Sequence, residues 1–462
     1  AQLNKNLIVI LNDNQMSIDH NTGAISRYLS RLSMTNRYQT FRHRFDRLID
    51  KLTVKTPYLG KGLEKLIFRI KRSLKGLILT NNLFTDLGFE YVGPLDGHNE
   101  EDMEKVLRRV KRLHRPVVVH VVTKKGKGYE PAEKNPENFH GIGPFDINTG
   151  TTASSSGTSF TEAFSDIILT AAEKNPKITA ITAAMAKGTG LSEFAEKYPE
   201  RFFDVGIAEE HAVTFAGGLA EGGMLPVVCI YSTFIQRSID QLIHDISLQK
   251  SPVIFMIDRA GAVPGDGVTH QGIFDIALFR PIPDLVILSP ASKKDLQLCF
   301  EWAEKSNKAV AIRYPKSNCP EEIPAFEIPV EEGKGLLIKN SSENTNNKTL
   351  IITTGGMYSE VRNAIENSNN SADIYVLRFI KPLNIDCLYE VASNYKNIVI
   401  VEDGVKTGGI GEYIKSELQQ KGINNIIQLA FEEKYYDHGT RNQVLDEAGL
   451  SAEKLAKVIK EF

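Results

Sequence analysis

The chain has 462 residues, of which 42% are hydrophobic and 24% charged, and its formal net charge is −2. At roughly 150 residues per domain that length predicts about three soluble domains, and the near-neutral balance supplies no basic field for nucleic acid or an anionic membrane surface. No apolar run reaches the roughly 18 residues of a membrane span, no secretory signal is present, and four scattered cysteines, Cys229, Cys299, Cys319 and Cys387, read as reduced thiols of a cytoplasmic protein, not a disulfide framework or zinc site.

Short apolar runs alternate with helical patterns along the chain. Residues 7–11 (LIVIL), 116–123 (PVVVHVVT), 226–231 (PVVCIY), 252–257 (PVIFMI), 284–289 (DLVILS) and 309–312 (AVAI) predict buried strands. Residues 349–353 (TLIIT), 373–377 (DIYVL) and 397–401 (NIVIV) predict more. Near-continuous β-branched runs between helices mark parallel sheets covered on both faces, so the fold class is α/β. The small, polar stretch 148–159 (NTGTTASSSGTS) reads as a linker and a second boundary falls near 329–334. The expected domains are therefore 1–147, 158–328 and 335–462. Residues 37–75 form a basic, partly amphipathic stretch, either a solvated helical insertion docked on the first domain or a surface for anionic lipid or a partner. The chain opens on Ala1 and enters an apolar run almost at once, which predicts a piece of a longer polypeptide with an incomplete first domain.

Six segments carry candidate chemistry, and five of them sit where strands end, the place where α/β folds build sites. After the first run comes Asn12-Asp13-Asn14-Gln15-Met16, whose oxygens suit a hard cation such as Mg²⁺ and equally an ordinary Asn/Asp turn. Residues 204–213 (DVGIAEEHAV) place Glu209 and Glu210 at the start of a helix expected over 212–222, as a functional carboxylate or a capping one. Residues 230–237 (IYSTFIQR) offer Tyr231, Phe234 as a stacking platform and Arg237 as a phosphate fork, or a core ring and a surface ion pair. Residues 258–272 hold Arg259, Asp266 and His270 on a glycine-rich loop, where a histidine can shuttle protons. Arg313 ends the run 309–312. Residues 124–129 (KKGKGY), with Lys125 and Tyr129 and with His140 further on, suit a phosphate or are a solvated turn. GxGxxG, Walker, GxSxG and HExxH signatures are absent from the sequence.

The ordered series ILNDNQMSI, YVGPLDGHN, TKKGKGYEPAEKNPENFH, RFFDVGIAEEHAVTFAGGLA, IYSTFIQRSIDQLIHD, DRAGAVPGDGVTHQGIFD and IRYP resembles the 1-deoxy-D-xylulose-5-phosphate synthase family, transketolase-like and thiamine diphosphate-dependent. The resemblance runs along essentially the whole chain. It implies a diphosphate- and metal-binding domain, a pyrimidine-binding domain and a transketolase C-terminal-type domain, usually as a homodimer. It implies that Glu209 bonds a ring nitrogen of the cofactor's aminopyrimidine, that Phe234 stacks on that ring, and that Lys125 and Tyr129 lie by the diphosphate. Asn14 and the Met16 carbonyl would ligate Mg²⁺. Tyr231, Arg237, Arg259 and Arg313 would hold the acceptor substrate, and Asp266, His270 and His140 would handle hydroxyls and protons. The implied reaction decarboxylates pyruvate and joins the two-carbon unit to D-glyceraldehyde 3-phosphate. This would feed isoprenoid, thiamine and pyridoxal phosphate synthesis. Transfer of a ketol unit between sugar phosphates, as in transketolase, and an inactive half-subunit remain as alternatives. The family carries a Gly-Asp-Gly metal motif about one βα unit before the Asn14 loop, ahead of Ala1, which predicts weak cofactor binding by this chain alone.

Overall fold

The computed structural model describes residues 1–3, 5–14, 16, 28, 83–152, 157–339, 349–368 and 371–461. The basic stretch 37–75 lies outside them. By contacts the chain divides into two compact units, residues 1–142 with 147–150, and residues 143–146 with 151–462. The boundary expected between 328 and 335 therefore falls inside one compact unit.

The first unit is built on a parallel three-stranded sheet in the order β1-β3-β2, with β1 Ile8–Asp13, β2 Glu90–Asp96 and β3 Val117–Val122. The helix between the last two, α1 (Glu100–Val110), is capped by the Asn99 side chain, which accepts from the Asp102 N–H. Its Val110 packs with Val117, Val119 and Val121 in the core of this unit. The run 7–11 was expected as a buried strand, yet Val9 and Ile10 remain 37% and 53% exposed. The reason is position: β1 pairs only with β3 and is the edge of the described sheet. The loop after β3 leads into α2 (Glu130–Lys134).

The second unit carries two sheets. Helix α3 (Phe160–Lys174) opens it with a reciprocal capping box. The Ser159 hydroxyl accepts the Glu162 N–H, and the Glu162 carboxylate accepts the Ser159 N–H. The seven-stranded sheet has the order β13-β8-β9-β7-β6-β4-β5 and is parallel apart from β13. Its strands are β4 Ile178–Thr182, β5 Phe202–Asp204, β6 Leu225–Tyr231, β7 Ile254–Asp258, β8 Leu285–Leu288, β9 Ala309–Arg313 and β13 Phe379–Lys381. Both faces of β4, β7, β8 and β9 are buried, which is why the sequences leading into the last three read as unbroken apolar runs. Helices α4 (Glu209–Glu221), α5 (Ser232–Ile235), α6 (Asp275–Phe279) and α7 (Lys293–Ser306) follow β5, β6, β7 and β8 in the chain.

The five-stranded sheet has the order β10-β12-β11-β14-β15, with β10 Leu336–Ile338 antiparallel to the rest. The others are β11 Thr349–Thr354, β12 Asp373–Leu377, β14 Asn397–Val405 and β15 Ile426–Phe431. Helices α8 (Tyr358–Ser368), α9 (Ile410–Gln420), α10 (Arg441–Glu447) and α11 (Ala452–Glu461) accompany it, with a further helix over Ile385–Ala392. One apolar core joins the two sheets: Ile181, Val228, Phe255 and Ile287 belong to the same cluster as Leu350, Ile352, Leu377 and Ile400. Among the described residues no helix is long and apolar enough to cross a membrane.

Candidate functional site

In the second unit the chain turns back on itself between β4 and its two neighbours. β5 lies on one side and β6 on the other, a switch point of the kind that opens a crevice at the carboxyl ends of parallel strands. Glu209 enters there. Helix α4 begins at Glu209, three residues before the start expected from the sequence, because Ala208 offers no side-chain cap to mark it. The Glu209 side chain is only 2% exposed, and the Arg237 Nη1 donates to both of its oxygens at 3.1 and 2.9 Å. Burial of a carboxylate at a helix start is stabilised by the free N–H groups of the first turn and by this charged partner.

Arg237 also reaches over the Phe234 ring, 5.8 Å from its centroid. Phe234 stands against two more rings, Tyr231 at 5.8 Å and a 24° tilt, and His270 edge-on at 5.2 Å. Tyr231 closes β6 and is buried beneath the Arg259 guanidinium, 3.8 Å above its ring. Burial pushes its hydroxyl up to about 12 despite the neighbouring charge of Arg259. Its phenol fills the space at Gly188, where a Cβ would lie 1.6 Å from the hydroxyl.

The loop after β7 carries the polar side of the cluster. Gly261 and Gly272 close its neck with two backbone hydrogen bonds, 2.7 and 2.9 Å. Arg259 Nη1 and Lys316 Nζ both donate to Asp266 Oδ2, at 2.9 and 2.8 Å. Burial raises the Asp266 carboxyl, but the hydrogen bond and charge of Lys316, with Arg259, outweigh it and hold it below the usual carboxylate range. Burial holds His270 below its ordinary value although Asp266 pulls the other way, which favours the neutral ring. The Thr233 hydroxyl donates to the Thr269 carbonyl and the Ser232 hydroxyl to that of Gly272, tying β6's end to this loop.

Arg313 does not join this cluster. It was expected to hold a substrate phosphate, but its side chain is 1% exposed and its donors are spent on buried Asp275 (Nε–Oδ2 2.8 Å) and Asp403 (Nη1–Oδ1 2.7 Å). The last residue of β9 still belongs to the sheet interior, and the chain reaches the open side only after Tyr314 and Pro315. Lys316 is therefore the cation that meets Asp266. Sequence reading missed it, and its signal was a charge placed just beyond the end of an apolar strand.

The first unit holds the remaining candidates. Asn14 Oδ1 accepts the Met16 N–H at 3.0 Å, an Asx turn that fixes its oxygen. Beside it Asp13 Oδ2 meets His120 Nε2 at 3.0 Å, and His120 Nδ1 meets the Tyr91 hydroxyl at 2.7 Å. His120 is fully buried. A histidine inside the apolar run 116–123 was the available sign of that chain of bonds. Burial lowers Lys125, and burial followed by the Lys125 charge lowers His140. Tyr129 donates to the Ile147 carbonyl and sets its ring edge-on to Phe139 at 5.5 Å. Asn14 and the Met16 carbonyl supply two oxygens toward the roughly six that Mg²⁺ requires. Among the described residues no group of three or more His, Cys, Asp or Glu is placed to hold a metal, so these residues do not complete an Mg²⁺ site.

Three family models match the chain: 1-deoxy-D-xylulose-5-phosphate synthase over residues 1–123, the transketolase pyrimidine-binding domain over 156–322 and the transketolase C-terminal domain over 339–455. The 1-deoxy-D-xylulose-5-phosphate synthase of Treponema pallidum (strain Nichols) is 49% identical over 454 residues, covering 97% of this chain and 71% of that protein. The chain belongs to the 1-deoxy-D-xylulose-5-phosphate synthase family. The synthase of Natranaerobius thermophilus is 43% identical over 98% of this chain and 72% of its own length. A solved split-gene transketolase, described as an inactive beta4 tetramer, aligns with a TM-score of 0.59 at 25% identity over 66% of this chain and 98% of that one. The transketolase of Campylobacter jejuni aligns with a TM-score of 0.54 at 16% identity, over 84% of this chain and 70% of that one, a likeness of fold. Family membership brings with it a thiamine diphosphate-dependent, transferase-type reaction class.

Proposed function

We propose that the chain acts in 1-deoxy-D-xylulose 5-phosphate synthesis, binding the pyrimidine of thiamine diphosphate at Glu209 and Phe234 and D-glyceraldehyde 3-phosphate at Arg259 and Lys316. The observation that carries the reading is the buried Glu209 carboxylate, tied through Arg237 to a ring cluster whose far side presents two cations on Asp266. Held there, thiamine diphosphate would supply the carbon nucleophile needed to take up a two-carbon unit from pyruvate with loss of CO₂. Arg237 is 47% exposed; swinging it to solvent frees Glu209 to bond a ring nitrogen, and Phe234 gives that ring an apolar face. Arg259 and Lys316 exchange the Asp266 carboxylate for a phosphate, a charge-assisted pairing that suits both. His270, neutral and beside Phe234, takes or returns the proton of the acceptor's carbonyl oxygen. Mg²⁺ belongs to the reading through Asn14 and Met16, Lys125 and Tyr129 serve the diphosphate, and His140 stays an acid–base candidate.

A second reading has a specific support: the split-gene relative matched over nearly its whole length is an inactive tetramer. In that reading this chain is one part of a site completed by another polypeptide. Mass spectrometry of the chain mixed with thiamine diphosphate, Mg²⁺, pyruvate and D-glyceraldehyde 3-phosphate separates the two. Under the first reading 1-deoxy-D-xylulose 5-phosphate forms, and Glu209→Ala lowers its rate at least about 100-fold. Absence of product favours the second reading, in which calorimetry still finds D-glyceraldehyde 3-phosphate bound, weakened about tenfold by Arg259→Ala or Lys316→Ala. Full activity of Glu209→Ala overturns both.

A further inference from the structure

The loop that carries Asp266 and His270 is held at its far end from two directions. Its neck is fixed by the Gly261–Gly272 pair, and its middle by Gln271, whose side chain accepts from the Val263 N–H and donates to the Val263 carbonyl. The tip is different. Gly265 and Gly267 stand at φ +80° and +77°, in the left-handed region where only glycine rests without strain, so the tip's own backbone does little to choose one conformation. Arg259 and Lys316 hold it at Asp266, Lys316 Nζ also donates to the Pro264 carbonyl at 3.3 Å and the His270 N–H to the Gly267 carbonyl at 3.1 Å, and the last part of the chain adds a second set of ties. The Gly265 N–H donates to the Gly439 carbonyl at 3.0 Å, and His438 Nε2 donates to the Gly265 carbonyl at 3.1 Å. Arg441, the first residue of α10, spreads its guanidinium over three acceptors, each at 3.0 Å: Nη1 on the Ala262 carbonyl, Nη2 on the Gly356 carbonyl and Nε on Glu360 Oε1. Arg441 is 13% exposed and Glu360 17%, so the fork is largely shielded from water and set in one geometry by its acid partner.

From these contacts we infer that His438, Gly439 and Arg441 form a clamp from the five-stranded-sheet side, and that Arg441 is a positioning residue for the acceptor site. The inference rests on the function proposed above and deepens it. The step from clamp to site is one residue long: Gly265 is gripped on both its polar groups, and Asp266 next to it is the carboxylate on which Arg259 and Lys316 both converge. When the tip drifts, both cations lose their common anchor and His270 loses its place against Phe234. Among the described residues no hydrogen bond or ion pair runs from His438, Gly439 or Arg441 to Arg259, Lys316, Tyr231 or Phe234, so the clamp acts through where the loop sits.

The test is amide hydrogen exchange on the whole chain, compared for wild type, Arg441→Ala, Arg441→Lys and His438→Ala. Arg441→Ala is expected to speed exchange over residues 262–271 about tenfold or more while β7 and β14 keep their protection. Arg441→Lys, which retains one cationic donor, falls between, and His438→Ala affects the same segment. Loop exchange unchanged in Arg441→Ala, or raised equally in β11 and β14, overturns the clamp, since the latter is the mark of a merely destabilised sheet. Calorimetry with D-glyceraldehyde 3-phosphate is the second arm, where Arg441→Ala weakens binding about tenfold through lost preorganisation. Undiminished binding by that variant overturns the positioning role. If wild type itself binds none of this ligand, the functional reading fails while exchange still decides the clamp.

Discussion

Two arginine-lysine positions three residues apart show how burial decides what a charge is for. Arg313 lies between Asp275 and Asp403, all three buried, so truncating it leaves two carboxylates unpaired away from water. Arg313→Ala is expected to cost roughly 3 to 5 kcal/mol of unfolding free energy in urea titration. Lys316 is 36% exposed, and Lys316→Ala should stay within about 0.5 kcal/mol of wild type in the same experiment. The sequence made Arg313 the more attractive of the two, since a cation at the end of an apolar strand is a fair sign of a site. What it could not convey is that β9 stays enclosed through its last residue. Glu209, Phe234, Asp266 and His270 stood out because each comes soon after a strand end, the first two in the first turn of a helix and the last two in a loop without apolar periodicity. Asp258 gives a further residue-scale test. It is fully buried, with Oδ2 bonded by the Thr161 hydroxyl and Oδ1 without a partner, and burial lifts it from an ordinary 3.8 to about 6, against the pull of Thr161 and Arg259. A carboxyl raised by folding favours its protonated form there. Its contribution to stability is full below pH 3.8, where both states hold the proton, and is lost as the pH rises through 6. Asp258→Asn cannot ionise, so between pH 4 and 7 it should escape a loss of roughly 2 to 3 kcal/mol that wild type suffers, measured as the difference in urea unfolding free energies.

Among elements, the strands legible in the sequence are those whose runs are long, β-branched and covered on both faces, such as β7, β11 and β14. The ones missed lack such a run. β5, β10 and β13 are three residues each, too short to show a period, β4 (ITAIT) dilutes its apolar run with threonine and alanine that the sheet buries anyway, and β2 (EYVGPLD) and β15 (IIQLAF) interrupt theirs with Gly-Pro and with Gln. The two antiparallel strands could not be foreseen from composition, because β10 and β13 differ from their neighbours only in direction. Helix starts follow the same logic. Ser159 with Glu162 writes the start of α3 into the sequence, whereas α4 begins after an alanine and its first residue serves the candidate site. Removing the α3 signal should be felt locally: Ser159→Ala loses the hydroxyl that accepts the Glu162 N–H and is expected to lower stability by about 1 kcal/mol. Because the box is reciprocal, Glu162→Ala added to it should cost less than its separate effect, a shortfall that a double-mutant cycle in urea would display.

At the scale of the molecule, the second unit holds together more tightly than the sequence boundaries suggest. After β12 in the five-stranded sheet the chain crosses immediately to β13, which joins the seven-stranded sheet antiparallel to β8. Arg378, between those two strands, is buried and donates to Asp295 of α7 at 2.6 Å. Phe379 presses edge-on against Trp302 of the same helix at 5.1 Å. Arg313 to Asp403, Arg280 to the Gly408 and Gly409 carbonyls and Arg441 to Ala262 make further ties between the segments that bear the two sheets. One apolar cluster is also shared, beside a further cluster on the outer side of each sheet, so the two sheets are expected to open together. Trp302 is the sole tryptophan of the chain and reports on the seam. Its fluorescence in urea should therefore lose intensity or shift at the same midpoint as hydrogen-exchange protection disappears from β11 and β14, which lie in the other sheet. Phe379→Ala, which removes a buried ring at the seam, should lower both midpoints together, by roughly 3 to 5 kcal/mol of unfolding free energy. Separate midpoints, with β11 and β14 still protected after Trp302 is exposed, would mean that the five-stranded sheet folds by itself and that the crossing strand is only a docked edge.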